Sequence, residues 1–504
     1  MFEVPSLSDF NAGATLPVLL LALGACVFML VDLYIPKDRK YLTAWLAAGG
    51  IGVSLILSLL SLTDVLDLGN GKEVFSGMYV ADKFTDTINV IALVTALLGV
   101  MVAYNYLDRI GRQRGEYYYL LLFTTTGVML MGAAGDLVTV FVALELLSIP
   151  LYILSGFRWP QEESEESAMK YFILGAFASG FLVYGIALVY GATGTTNFDG
   201  IQQAVEKINA EDASTRYLLL IGGGLTLVGL GFKVAAVPFH MWTPDVYQGA
   251  PTSVVAYMSV AAKVGGFAAL VRVLAEGLPN FVLSGESVAA WQSTVWLIAA
   301  LTMILGNLVA VVQNDLKRLL AYSSIAHAGY ILTAIAAAGS ASVTDEAARA
   351  VVIYLMAYAF TNVGAFSVII ALERDDASNT GLDSVRGLAH TQPALAAAMA
   401  LFMLSLTGIP LTAGFIGKWF VFKAAIAADL MPVAVIGVVT SLISAFYYLR
   451  VVWLMYFEEG EAEARTPWPL AWAISIAAVS TLILGAFPYL LSDMARNIAL
   501  AFGG

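Results

Sequence analysis

One cysteine and three histidines in 504 residues leave little material for metal or redox chemistry. Cys26 has no partner for a disulfide, and a single thiolate cannot hold an iron–sulfur cluster. His240, His327 and His390 are too scattered for a haem or zinc site. Charge is scarce as well: Asp, Glu, Lys and Arg make up 12% of the chain and apolar residues 60%, a balance that no soluble core needs. The net charge of −12, with no basic patch, argues against a nucleic-acid partner. A GxxxxGK(S/T) loop, a GxGxxG after a strand and HExxH are all missing, so ATP hydrolysis and NADH binding have no motif here. Redox cofactors are therefore expected in partners and none in this chain.

The chain abounds in apolar runs of about twenty residues, the length a helix needs to cross a bilayer. Candidates fall near 15–35, 41–62, 86–106, 117–134, 136–156, 168–190, 217–242, 252–274, 290–312, 317–338, 348–371, 393–426, 433–455 and 468–490. The expected fold is an all-α polytopic membrane protein of about fourteen transmembrane helices, one membrane domain over 1–504. The N-terminus lacks the basic region of a signal peptide and reads as a retained anchor. If it lies outside, inner loops receive fourteen basic residues, among them Lys317, and outer loops seven, among them Arg272. That bias predicts both termini outside, in a bacterial cytoplasmic membrane.

Four lysines fall within the spans: Lys233, Lys263, Lys418 and Lys423. A lysine at the centre of a span costs roughly 2.5–3.5 kcal/mol, so the central three need a reason to be there. Glu145, alone among aliphatics in LVTVFVALELLSIPLYIL, needs a partner from another span, and Lys233 is the candidate. Lysine suits a proton relay because burial moves its pKa readily, whereas arginine stays charged. Lys263 and Lys418 would extend such a chain, and His327, beside Ser323, Ser324 and Tyr330, would bridge them. His240 and Asp245 lie where protons could enter. Lys423 is nearer a helix end, where snorkelling suffices.

Two spans are interrupted. The seventh carries Pro238, and the twelfth carries Gly408, Pro410, Gly414 and Gly417. Irregular backbone at membrane depth lines protein or a polar cavity rather than lipid. Broken spans five apart run in opposite directions and suggest inverted five-helix units at 117–275 and 288–456, after helices 1–3 (1–116) and before helix 14 (468–490). Tyr152-Ile153-Leu154 recurs as Tyr330-Ile331-Leu332, at the same offset as Arg272 and Arg450, a weaker sign than the paired breaks.

The segment PFHMWTPDVYQGAPT (238–252), with Lys263, the Glu145 segment and LTGIPLTAGFIGKWF (406–420), resembles the N subunits of respiratory complex I, the proton-translocating NADH:quinone oxidoreductase. Organellar and photosynthetic relatives belong to the same group, and the likeness runs over nearly the whole chain. It implies two inverted half-channels with discontinuous helices seven and twelve. It also implies that Glu145 and Lys233 form a modulating pair, that Lys263 links the halves, that Lys418 is the terminal lysine, and that His327 connects them on a central polar axis. FMN, iron–sulfur clusters and quinone would belong to partner subunits. The neighbours would be other antiporter-like and small membrane-arm subunits. Alternatives are an Mrp-type cation/proton antiporter subunit, a solute permease and a purely structural subunit. The PDVYQGAPT form weighs against the first, the lack of any further substrate pocket in the pattern against the second, and the central lysines against the third.

Overall fold

The computed structural model describes residues 11–66, 68–69, 72–207, 213–278, 289–374, 379–496 and 498, so the expected boundary at 288 lies outside the described residues. In hydrocarbon every backbone polar group must be paired within the protein, and the apolar runs accordingly become helices. The chain opens with α1 (Ala12–Asp32), α2 (Tyr41–Leu62), an antiparallel hairpin of β1 (Lys72–Val74) and β2 (Tyr79–Ala81), and α3 (Lys83–Arg109). Next come α4 (Gly115–Ala133), α5 (Leu137–Ser155), α6 (Glu162–Thr193), the short α7 (Phe198–Lys207), the pair α8 (Ala213–Val234) and α9 (Trp242–Gly249), and α10 (Thr252–Leu270), which continues as a π-helix over Val271–Gly277. The second half has α11 (Gln292–Val311), α12 (Leu316–Ala337), α13 (Thr344–Leu372), one turn α14 (Leu388–Thr391), the pair α15 (Pro393–Thr407) and α16 (Ala413–Ala427), and α17 (Met431–Phe457). Helices α18 (Trp468–Ala486) and α19 (Tyr489–Arg496) close it.

Among the described residues, twelve helices are long and apolar enough to cross a membrane. The two sequence candidates not among them are the tyrosine- and threonine-rich α4 and the split pair α15–α16. Both interrupted spans break: α8 stops at Val234, ahead of Pro238, and α15 stops at Thr407, where Gly408 takes a φ of 92°. Helices α10, α12 and α13 are enclosed by neighbours, with 94% or more of their apolar windows buried, so side chains on them face protein rather than lipid.

The same geometry occurs twice. A β-carbon on Gly127 of α4 would sit 2.5 Å from the backbone nitrogen of Leu147 on α5, and one on Gly306 of α11 would sit 2.7 Å from that of Ala326 on α12. Only glycine allows these helix backbones to approach so closely. Asp136 caps α5 and accepts from Thr196 Oγ1 at 2.6 Å, while Leu137 N donates to Thr196 O at 2.9 Å. Asp315 caps α12 in the same way, accepting from Thr380 Oγ1 at 2.5 Å, with Leu316 N donating to Thr380 O at 2.7 Å. Gly127 and Gly306, Leu147 and Ala326, Asp136 and Asp315 are each 179 residues apart. The Tyr-Ile-Leu recurrence is offset by 178, and one residue turns a helix by about 100°. It is therefore out of register and not equivalent. In the true register Ser148 corresponds to His327.

Candidate functional site

Lys233 lies in the last turn of α8 and is 2% exposed. Its Nζ donates to Ser148 Oγ on α5 at 2.9 Å and to Tyr171 Oη on α6 at 3.2 Å, and stands 5.4 Å from the centre of the Tyr171 ring. Tyr171 is fixed from behind by Trp242, the first residue of α9, stacked at 4.4 Å. Trp242 Nε1 donates to Phe232 O at 3.0 Å. The break thus folds α9 back far enough for its first side chain to brace the ring that holds the lysine.

Glu145 does not reach Lys233. It is half-buried on α5, its Oε1 accepting from Ser179 Oγ of α6 at 2.5 Å, and no ion pair joins the two among the described residues. Ser148 lies one helical turn from Glu145 on the same helix, so it meets the incoming ammonium first. A small cleft is lined by Ser148, Ser179 and Lys233. In place of the expected contact, Glu145 binds one serine, Ser179, and Lys233 another, Ser148.

The next two lysines are held by helix ends. Lys263, 2% exposed on α10, donates to the carbonyl of Val234 at 3.1 Å, the last residue of α8. Lys418, 5% exposed on α16, donates to the carbonyls of Leu406 and Thr407 at 3.0 and 2.8 Å, at the end of α15, and to Ser441 Oγ at 2.6 Å. The final carbonyls of a helix have no partner within it and carry the negative end of its dipole. Each break therefore supplies a cation seat without a carboxylate. Pro238 and Pro410 lie within the interruptions, and Gly408 forms the left-handed cap beside Lys418.

His327 is buried midway along α12, with Nδ1 2.6 Å from Tyr354 Oη of α13 and Nε2 3.1 Å from Tyr448 Oη of α17. The neighbours expected from its own helix do not bind it. Ser323 pairs with Tyr448, Ser324 accepts from Tyr358 at 3.0 Å, and the Tyr330 hydroxyl accepts from Asn307 Nδ2 at 3.1 Å. The imidazole points outward between helices, so its partners come from across the interface. The Tyr330 ring instead lies under the Lys418 ammonium, 4.7 Å from its centre.

His240, between α8 and α9, is half-buried, and its Nδ1 is enclosed without a partner. Asp245 on α9 accepts from Lys170 at 2.7 Å and from Arg318 at 2.8 Å, a cross-brace between α6 and α12 rather than a free acceptor. Lys423 is exposed and pairs with Glu346 at 2.7 Å. Two residues assigned to loops are buried instead. Lys317 is 2% exposed, its Nζ donating to Ala250 O just past α9 at 2.8 Å; Arg272 is 0% exposed. Placing them in loops treated them as boundary charges, whereas interior acceptors draw each inward.

Sequence reading missed Ser148, Tyr171, Tyr354, Tyr448 and Ser441. Ser148 had a signal, one turn from Glu145. The tyrosines had only their polar tips in apolar runs. Among the described residues, no group of three or more His, Cys, Asp or Glu side chains could hold a metal ion.

Residues 134–444, which hold both breaks and all three central lysines, match the family model described as NADH:quinone oxidoreductase/Mrp antiporter, TM. The chain belongs to that family. It is 42% identical to NADH-quinone oxidoreductase subunit N of Trichlorobacter lovleyi, over 97% of this chain and 96% of the relative. It is 44% identical to subunit N 1 of Herpetosiphon aurantiacus, over 95% of each. Among solved structures, a chain of respiratory complex I from Thermus thermophilus with bound aureothin superposes with a TM-score of 0.78 at 35% identity, covering 96% of this chain and 100% of that one. A chain of the Mrp complex from Dietzia sp. shares the fold, with a TM-score of 0.80 at 22% identity, covering 98% and 97%. The protein is thus a multi-pass, antiporter-like membrane subunit of the subunit N type.

Proposed function

We propose that this subunit carries protons across the membrane along Glu145, Lys233, Lys263, His327 and Lys418, driven by quinone reduction in other subunits of an NADH:quinone oxidoreductase. The observation that carries the reading is the seating of the lysines. Lys233, Lys263 and Lys418 are buried, and each is held by hydroxyls or freed carbonyls instead of a carboxylate. Such seats tolerate the ammonium without locking it in an ion pair, so the proton can leave.

The relay spans two inverted units, 117–275 and 288–456, with His327 between Lys263 and Lys418. Helices in 1–116 and the span at 468–490 flank them. Coupling along the path is electrostatic: at an effective dielectric near 20, unit charges about 8 Å apart interact by roughly 2 kcal/mol, enough to shift a neighbouring protonation equilibrium. The chain performs no covalent step. FMN, iron–sulfur clusters and quinone are assigned to partner subunits, and the side neighbours to other antiporter-like and small membrane-arm subunits. The complex sits in a bacterial cytoplasmic membrane with both termini of this chain outside. Protons enter at His240, and Asp245, held by Lys170 and Arg318, fixes α9 beside that entry.

The test is Lys233→Ala in membranes carrying the assembled complex. Loss of quinone-coupled pumping with normal assembly is the expected result. Pumping at the parental stoichiometry overturns the relay for that residue.

A further inference from the structure

Arg272 is fully buried, where α10 passes into its π-helical end. Its Nη2 donates to Asp82 Oδ1 at 2.7 Å and Thr85 Oγ1 at 3.0 Å, its Nη1 to Glu276 Oε1 at 2.5 Å, and its Nε to Gly132 O at 2.9 Å. Asp82 and Glu276 are themselves 7% and 2% exposed. Each gives one oxygen to the guanidinium. The other two, Asp82 Oδ2 and Glu276 Oε2, are enclosed without a hydrogen-bond partner.

One cation against two carboxylates leaves an uncompensated negative charge in a place where burying one is very costly. Among the described residues no second ion pair reaches Asp82 or Glu276. Lys83, next to Asp82 in sequence, turns to the carbonyls of Ser61 and Leu62 at 2.9 and 3.0 Å and to Asp64. The other charged groups facing the cluster make matters worse: Asp199 adds negative field at Glu276, and Asp86 stands one turn along α3. Bracing alone does not explain the two acids.

We propose that Asp82 and Glu276 share one exchangeable proton on Arg272, and that this cluster passes protons to the membrane face that carries the β1–β2 hairpin. The unpartnered oxygens are where the proton resides and leaves. Asp86, which accepts from Ser61 Oγ at 2.7 Å, continues the path towards the exposed Asp64. Buried polar atoms without protein partners at this corner, Thr15 Oγ1 and Ser58 Oγ, are of the kind that internal water satisfies. The shared proton follows from local charge alone, whereas its passage rests on the relay described above.

The test uses the purified, assembled complex with Glu276→Gln, whose amide copies the shape of the neutral acid. Infrared spectra in ordinary and heavy water should show that the variant loses one exchangeable carboxylic C=O band. Asp82→Asn should lose the same band, because either change leaves one acid balanced against one guanidinium. Pumping by the Glu276→Gln complex should fall by about tenfold, less than the usual loss of a positioned proton carrier because water can bypass it. An unchanged band, or failure of Glu276→Gln to assemble, overturns the shared proton, since a permanent ion pair would demand the carboxylate. A lost band with parental pumping overturns the passage, provided Lys233→Ala abolishes pumping in the same assay. If Lys233→Ala pumps normally while the band is lost, the relay fails and the shared proton stands.

Discussion

The ammonium of Lys263 rests on the carbonyl of Val234, 3.1 Å away, with no carboxylate paired to it among the described residues. The seat exists because α8 ends there and leaves its last carbonyls unpaired. A relay needs the cation to give up its proton, and arginine cannot. Lys263→Arg therefore assembles but loses quinone-coupled pumping by about tenfold or more. Proton uptake and quinone reduction measured in the same vesicles check this.

Gly408 adopts a φ of 92°, and a β-carbon on it would lie 3.0 Å from Lys418 Cδ. Gly408→Ala costs about 1–3 kcal/mol in backbone strain alone and displaces the lysine from its carbonyls. A lowered unfolding temperature of the purified complex, with reduced pumping, is the expected outcome.

Two hydroxyls hold Lys233, and hydrogen bonds to a charged group are worth about 1.5–3 kcal/mol each. Ser148→Ala and Tyr171→Phe should each slow coupled turnover by about tenfold while the complex still assembles. The double variant should fall short of the product of the two, because both hydroxyls act on one ammonium. Steady-state rates of the three variants decide it.

His327 is bound more closely by Tyr354 than by Tyr448, at 2.6 against 3.1 Å. Tyr354→Phe should therefore impair pumping more than Tyr448→Phe. Equal effects would mean that the ring is held by packing and not by these hydroxyls.

Lys423 is the contrasting case. Its side chain is 57% exposed and meets Glu346 at the surface. Lys423→Ala should leave pumping intact and stability within about 0.5 kcal/mol of the parent, which a thermal melt and a vesicle assay can establish together.

The spans and their breaks were legible in the sequence because they are local signals: a run of about twenty apolar residues, or a proline or glycine inside one. The central lysines were legible for a similar reason, since a charge in such a run stands out. Their acceptors were not. Whether Lys233 meets Glu145 or Ser148 depends on the rotation of α5 against α8, and no local pattern encodes that. Arg272 and Lys317 were read as loop charges because they lie near span ends, where only the packing of α3 and α9 distinguishes inside from outside. The Tyr-Ile-Leu recurrence misled by a single residue, while Gly127 and Gly306, which set the true register, looked like any other glycines.

Those two glycines also bear on how the two halves are packed. With Gly127 pressed on the backbone of α5 and Gly306 on that of α12, neither position has room for a side chain without moving the two helices apart. The same contact in both halves sets the depth at which α5 presents Ser148 and α12 presents His327, so each pair of helices carries its polar group at a matching place in the bundle.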